Sequence, residues 1–245
     1  MIIVTGMHRS GTSLAAQVLQ AIGVDFGDPA TMYAADDWNA NGYLERLDVV
    51  DLNSRIITGH ERTTSRVTQV RSQLAYLRMP PVATIDEAAD AVAREIEMSS
   101  ALVGSLAVKD PRFCLTYGGW SRHAAVEGLV VALRHPAASV ASLRKRNRLP
   151  TNIGHRFWRW HMEAILPHID GGTLLIRQDR LTGPESESEI AHIRAWCAAR
   201  GIDASGETTD IVDPNLVHHQ PDDSAVPPES LNVWRRLVEA ATGEA

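Results

Sequence analysis

The first 23 residues place an apolar run, a glycine-containing loop and a helix in immediate succession. Met1 to Thr5 is a short, continuous apolar run, which is typical of a strand buried on both faces of a parallel sheet. The loop at residues 6–13 reads G-M-H-R-S-G-T-S, and residues 14–22 have a helical periodicity that stops at Gly23. A buried strand that turns through glycines into a helix favours an α/β domain over an all-helical or all-strand fold.

Strand and helix patterns continue to alternate along the chain. Apolar runs predict further strands at 106–108, 128–133 and 173–176, and periodicity predicts helices over 46–58, 137–146, 152–166, 186–200 and 231–241. Thr84 to Glu87 resembles a capping box and predicts a helix that begins there and runs towards Met98, whereas 24–44 and 59–82 are interpreted as loop. The alternation predicts a three-layer α/β sandwich with a central parallel sheet and a P-loop-like phosphate-binding loop. A chain of 245 residues favours one domain over 1–245.

The composition of the chain indicates which kinds of ligand and which cellular compartment to expect. The formal net charge of −6 argues against a protein that coats nucleic acid, so an anionic ligand needs a local basic site. Cys114 and Cys197 are isolated, which predicts neither a disulfide framework nor a zinc knuckle and fits a reducing compartment. The chain starts directly in an apolar strand, without a basic leader or a run long enough to span a bilayer. We therefore expect a cytoplasmic protein without an integral membrane segment.

The ten histidines do not indicate a metal site. None belongs to an H-E-x-x-H motif, and His218-His219 lies in a Pro- and Asp-rich stretch without a matched ligand set. Phe157, Trp158 and Trp160 lie on a predicted helix, where packing against the sheet is the favoured interpretation and a border to an aromatic ligand is the alternative.

The first loop has the residues that a phosphate cradle requires. Glycines at positions 6 and 11 allow backbone conformations in which successive amide groups turn towards an anion, and the following helix adds the positive end of its dipole. The nucleoside-triphosphate pattern places a lysine after the second glycine, but Thr12 stands there in this chain. Arg9 lies inside the loop instead, and its planar guanidinium suits a terminal phosphate or sulfonate.

A second basic site follows a later strand. Because ligands of parallel sheets bind beyond the carboxyl ends of the strands, Lys109-Asp110-Pro111-Arg112 and Arg134-His135-Pro136 carry most weight after the first loop. Arg134 ends a predicted strand, and Ser139 and Ser142 share a face of the helix that Pro136 opens. An arginine and a helical hydroxyl make a compact site for one more phosphate.

These segments resemble the bacterial sulfotransferases that use 3′-phosphoadenosine-5′-phosphosulfate (PAPS). The resemblance rests on residues 6–13, on N-G-Y-L-E at 41–45 with Leu52-Asn53 after it, and on R-H-P-A-A-S-V-A-S at 134–142, and K-D-P-R at 109–112 is also similar. It implies PAPS as co-substrate, adenosine 3′,5′-bisphosphate as product and no metal. The donor-binding residues that it implies are His8, Arg9, Ser10, Gly11, Thr12, Ser13, Arg134 and Ser142, and the catalytic residues are Glu45, Arg9 and Lys109.

Several assignments stay open at the level of sequence. Glu45 is the first choice for the base that takes the acceptor proton, and the alternatives are Asp48, His60 and Asp28. Lys109 either contacts the sulfonate or pairs with Asp110. The acceptor is a hydroxyl of a carbohydrate, a lipid or a small molecule, and no pattern indicates which, or the oligomeric state.

Two other functions fit the same loop. A P-loop kinase of small metabolites would need Mg²⁺ and the lysine that Thr12 replaces, and a non-catalytic nucleotide-sensing module would keep both phosphate sites without a base.

Overall fold

A four-stranded parallel sheet lies at the centre of the computed structural model, which describes residues 1–34, 42–62, 65–208, 211 and 222–242. The strand order is β2-β1-β3-β4, and all three pairings are parallel. The strands are β1 (Ile2–Thr5), β2 (Ala107–Lys109), β3 (Gly128–Leu133) and β4 (Leu174–Arg177).

Helices connect the strands. Within the described residues, short 3₁₀ helices cover Pro29–Thr31, Leu166–His168 and Asp223–Ala225. The α-helices of the described residues are α1 (Thr12–Ala21), α2 (Leu47–Thr58), α3 (Arg66–Leu77), α4 (Val82–Ala91), α5 (Ala93–Val103), α6 (Phe113–His123), α7 (Pro136–Asn147), α8 (Thr151–Ile165), α9 (Gln178–Leu181), α10 (Ser186–Ala198) and α11 (Pro228–Thr242).

The sheet is buried on both faces because alternate strand residues point into two separate cores. Ile2 and Val4 pack with α1 and α10 on one face, whereas Ile3 packs with residues of α2, α6 and α8 on the other. Each fully buried aliphatic side chain of this kind stabilises the fold by roughly 1.5–3 kcal/mol. Helices on both faces of a parallel sheet form a three-layer α/β sandwich, so the predicted fold class is confirmed.

Two local predictions were wrong. Residues 59–82 are not all loop, because α3 occupies 66–77 and begins at Ser65, whose side chain accepts a hydrogen bond from the Thr68 amide. The supposed capping box is also absent, since α4 already begins at Val82 after Pro81 and Thr84 lies inside it. The predicted helix towards Met98 is divided at Val92 into α4 and α5. Asn41 and His218-His219 lie outside the described residues.

The other predicted strands and helices are present within a few residues, and α6 is an additional helix that the sequence patterns did not predict. Cys114 and Cys197 are buried and form no disulfide. Phe157 and Trp158 are buried in the core, as the packing interpretation predicts. No helix within the described ranges is long and apolar enough to cross a membrane.

The carboxyl ends of the four strands meet at one edge of the sheet. β1 leads into Gly6, β2 ends at Lys109, β3 is followed by Arg134 and β4 by Gln178. The parallel register therefore brings together residues that are far apart in sequence, at the edge where ligands of such sheets bind.

Candidate anion-binding site

The loop between β1 and α1 has a backbone that only glycine permits at two positions. Gly6 has φ +143°, and a Cβ there would lie 2.4 Å from the Ala132 carbonyl oxygen. Gly11 has φ +89° and is the N-cap of α1, and a Cβ there would lie 2.9 Å from Gln178 Cγ. Arg9 also has positive φ, at +70°. The loop therefore turns tightly onto the N-terminus of α1, where no side chain caps the helix and its amides are available to an anion.

Three buried polar atoms at this edge lack a hydrogen-bond partner among the described residues, namely Ser10 Oγ, Arg134 Nε and His135 Nδ1. Ser10 is 1% exposed and its Oγ has no partner, and the same holds for Nε of the half-buried Arg134. Buried donors without partners are costly, at about 1–3 kcal/mol each, so such groups are usually satisfied by an ordered water, an ion or a ligand. A hydroxyl and a guanidinium donor fit an oxyanion. The residues present therefore suit a phosphate group.

The two predicted phosphate sites are in direct contact. Arg9 Nε donates to Ser142 Oγ at 3.0 Å, and Arg134 Nη1 donates to the Arg9 carbonyl at 3.2 Å. Burial, and then the neighbouring charge of Arg9, lower the pKa of Arg134 from its ordinary value. Two guanidinium groups held this close repel each other, and an anion between them relieves the repulsion. Ser139, the other predicted hydroxyl, is buried and donates to the Arg134 carbonyl at 3.4 Å, so it fixes the start of α7.

Lys109 connects the first loop to Glu45. Its Nζ lies 2.6 Å from Glu45 Oε1 and 3.3 Å from Ser13 Oγ. The Lys109 side chain is 1% exposed and that of Glu45 is 14% exposed, so the pair is almost completely removed from water. Lys109 does not pair with Asp110, the alternative that the sequence left open. The Asp110 carboxylate instead accepts from Arg112 Nη1 at 2.7 Å.

The alternative bases lie away from this cluster. Asp48 accepts from Arg46 at the exposed start of α2, and Asp28 caps the 3₁₀ helix Pro29–Thr31 through the Ala30 amide. His60 follows α2, and its carbonyl oxygen accepts from a serine hydroxyl. A cavity lies beside the loop, and none of these three alternatives lines it. Glu45 is the one carboxylate among the described residues that does.

A cavity of about 460 Å³ opens next to the loop. Arg9 and Arg146 lie in its lining together with Glu45. The remaining wall mixes aromatic and apolar side chains with two further arginines, namely Tyr33, Tyr43, Tyr76, Leu77, Leu143, Leu149, Phe157, Arg62 and Arg112. A cavity of this size and lining accommodates a small organic molecule or one end of a larger one beside a bound anion.

His8 belongs to a hydrogen-bond chain that the sequence did not indicate. His161 Nδ1 lies 2.8 Å from the Phe157 carbonyl oxygen, which can only accept, so this nitrogen carries the proton. His161 Nε2 then accepts from the Tyr76 hydroxyl at 2.5 Å, and the Tyr76 oxygen accepts from His8 Nε2 at 3.2 Å. The chain leaves the lone pair of His8 on Nδ1.

Both imidazoles of this chain are neutral at pH 7. Burial lowers the pKa of His161 to about 4. Burial, and then the positive charge of Arg112, lower the pKa of His8 well below its ordinary value. His8 therefore lines the cavity as an uncharged group, and its ring contacts Tyr76 and His161 as well as Phe157.

A buried polar cluster under the cavity also escaped the sequence analysis. Asn53 is fully buried; its Nδ2 donates to Asp110 at 3.0 Å, and its Oδ1 accepts from Thr116 and from Trp120 Nε1, each at 2.8 Å. This cluster fixes Asp110, and through it the Arg112 guanidinium that faces the cavity. Asn53 and the K-D-P-R motif at the end of β2 both belong to the segments that carry the resemblance, but the sequence did not predict that they meet in one cluster.

Comparisons with known proteins leave the activity to be argued from this geometry. No family model matches the chain, and no curated protein matches it. Among solved structures, the chain is similar to the sulfotransferase domain of the Synechococcus PCC 7002 olefin synthase, with 17% sequence identity and a TM-score of 0.44, over 99% of this chain and 93% of that one.

Proposed function

We propose that the chain is a sulfotransferase that moves a sulfuryl group from PAPS to a hydroxyl of a small-molecule, glycan or lipid acceptor. The observation that carries the proposal is the contact of Arg9 with Ser142 and of Arg134 with the Arg9 carbonyl. It joins a phosphate loop to a second basic site. The loop has Thr12 where a triphosphate-binding lysine would stand, and Thr12 is the buried first residue of α1. A donor phosphorylated at both its 3′ and 5′ ends fits two adjoining anion sites better than a linear triphosphate does.

The residues divide between the two ends of the donor. The loop amides, Ser10 and Arg9 would hold the 5′-phosphosulfate at the N-terminus of α1, while Arg134 and Ser142 would hold the 3′-phosphate. The donor supplies an activated sulfuryl group, which the acceptor oxygen attacks in line as the bond to the 5′-phosphate breaks.

Glu45 is the residue best placed to take the acceptor proton. It is the carboxylate of the described cavity lining, and Lys109 holds it through a 2.6 Å contact. Lys109 also contacts Ser13 at the start of α1, which supports a position for its ammonium beside the phosphate on which charge would develop. Arg9 and Lys109 would then stabilise the transition state, and Glu45 would act as general base.

Calorimetry tests the donor site. Wild-type protein should bind adenosine 3′,5′-bisphosphate without metal and more tightly than ATP–Mg²⁺. Arg134→Ala removes a partly buried, charge-assisted donor and should weaken the bisphosphate about 10- to 100-fold, far more than it weakens adenosine 5′-phosphate. Arg144→Ala, on the exposed side of α7, is the matched control. Equal losses for both nucleotides, or preferred binding of ATP–Mg²⁺, would overturn the assignment.

Labelled donor and an acceptor library test the transfer itself. Glu45→Gln should lower turnover about 10²- to 10⁴-fold with affinity for adenosine 3′,5′-bisphosphate kept, because general-base catalysis contributes about that factor. Asp48→Asn, which changes a carboxylate outside the cavity, should leave turnover unchanged. Unchanged turnover in Glu45→Gln would reject Glu45 as the base. A protein that binds the bisphosphate and transfers sulfate to no acceptor would instead fit the sensing module.

A further inference from the structure

The outward face of α3 is apolar, which is the reverse of an ordinary surface helix. Val67 is 64% exposed, Val70 54%, Leu74 59% and Leu77 40%. The face that packs against the protein is carried by Ser72 and Tyr76. With about 100° of rotation per residue, the four exposed apolar residues fall within a stripe about 80° wide, on the side opposite to the buried residues.

Arginines border this stripe on both sides. By the same rotation, Arg66 lies along one edge and Arg71 and Arg78 along the other, and all three are exposed. Residues 62–85 contain four arginines, counting Arg62, and neither Asp nor Glu. The surface of α3 is therefore cationic and apolar at once, on a chain whose net charge is −6.

We propose that the outward face of α3 binds the surface of an anionic lipid bilayer. A helix with exposed aliphatic residues on one face and arginines along its edges lies in the plane of the interface, with the apolar stripe among the acyl chains and the guanidinium groups at the phosphates. The proposal is independent of the sulfotransferase assignment.

Charge argues against a second copy of the chain on this face. Packing α3 against α3 would bring the three flanking arginines of each copy together without a carboxylate on either helix to neutralise them. Anionic headgroups supply the opposite charge in the geometry that the arginine edges require.

The bilayer surface would lie at the entrance of the cavity. Leu77 is the last residue of the apolar stripe, and it also lines the cavity together with Gln73 and Tyr76 of the same helix. A molecule carried in the bilayer could therefore reach the cavity without crossing open water.

Flotation with lipid vesicles tests the proposal on the full chain. Vesicles of phosphatidylcholine with about 30% phosphatidylglycerol should float the protein, and pure phosphatidylcholine vesicles should float much less of it. Val70→Ser with Leu74→Ser should lower partitioning at least about 10-fold. Replacing Arg66, Arg71 and Arg78 by Gln should lower it about 100-fold at low salt.

The matched control removes apolar surface elsewhere. Met98 and Leu102 on α5 are 67% and 73% exposed, so Met98→Ser with Leu102→Ser should leave partitioning within about twofold of the wild type. No flotation on anionic vesicles, equal loss in both double variants, or a dimer in sedimentation that Val70→Ser with Leu74→Ser dissociates would each overturn the proposal. The arginine variant provides the test if the serine variant does not fold, as urea unfolding of each would reveal.

Discussion

The buried pair of Lys109 and Glu45 should make a measurable contribution to the free energy of unfolding. Glu45→Gln removes the counter-charge of an ammonium that is 1% exposed, although the glutamine oxygen, Ser13 Oγ at 3.3 Å and the Tyr43 ring at 5.8 Å stay within its reach. Removing one partner of a buried ion pair costs roughly 3–5 kcal/mol, because the other charge stays desolvated. Glu45 is 14% exposed, so we expect the lower end, about 3 kcal/mol of unfolding free energy. For a chain of this size that corresponds to a Tm about 6–12 °C lower.

A double-mutant cycle in urea measures this coupling. Glu45→Gln and Lys109→Met should each destabilise the protein, whereas the double variant should lie nearer the wild type because no buried charge is left. The expected coupling free energy is about 3 kcal/mol. Asp48→Asn is the control, since the exposed pair of Arg46 and Asp48 should contribute at most about 1 kcal/mol. Additive effects, within about 0.5 kcal/mol, would refute a net contribution of the buried pair.

Three further predictions concern the loop and the histidine chain. Gly6→Ala should abolish anion binding and lower the Tm strongly, because a Cβ has no space at φ +143°. Gly171→Ala is the control, since a Cβ there would meet nothing within 4 Å, and it should change neither property. Thermal melts with and without ligand measure both effects. Tyr76→Phe should cost about 1–3 kcal/mol of unfolding free energy in urea, since it leaves a buried imidazole nitrogen without its donor. Because burial holds the pKa of His161 at about 4, below its ordinary 6.5, the unfolded state binds more protons between these values. His161 should therefore contribute a fall in unfolding free energy of roughly 3 kcal/mol from pH 6.5 to pH 4, and His161→Gln should remove that share of the slope while His8 keeps its own.

The strands were predictable because their burial on both faces leaves continuous apolar runs, as in Ile2–Thr5 and Gly128–Leu133. α3 was missed although Val67, Val70 and Leu74 have helical spacing, because residues 59–82 are largely polar and contain Pro80-Pro81, which favours a loop. In α3 the buried contacts are made by Ser72 and Tyr76, and the apolar residues point to solvent. The spacing of apolar residues therefore indicates a helix but does not reveal which of its faces is directed at the core.

The loop was also predictable, because the positive φ angles at positions 6 and 11 require glycine and the glycines are visible in the sequence. The partners of the loop were not. Arg9 meets Ser142 across 133 positions of sequence, and Lys109 meets Glu45 across 64. Spacing along the chain carries no information about such contacts until the strand order is known, and the order β2-β1-β3-β4 is what brings these strand ends together. The roles of the predicted site residues stay predictions until the binding and transfer experiments are done.

Lys109 links the two halves of the proposed reaction in one buried group. Its Nζ contacts Ser13 at the start of α1, where the leaving phosphate would lie, and Glu45, which would take the acceptor proton. A cation shared in this way stabilises developing negative charge on the donor and also keeps Glu45 in its position. Because Glu45 Oε1 accepts a hydrogen bond from Lys109 Nζ at 2.6 Å, that oxygen becomes available to the acceptor proton only when Lys109 shifts towards the phosphate. Charge development on the leaving group would then free the base as it is needed, which couples proton removal to bond breaking.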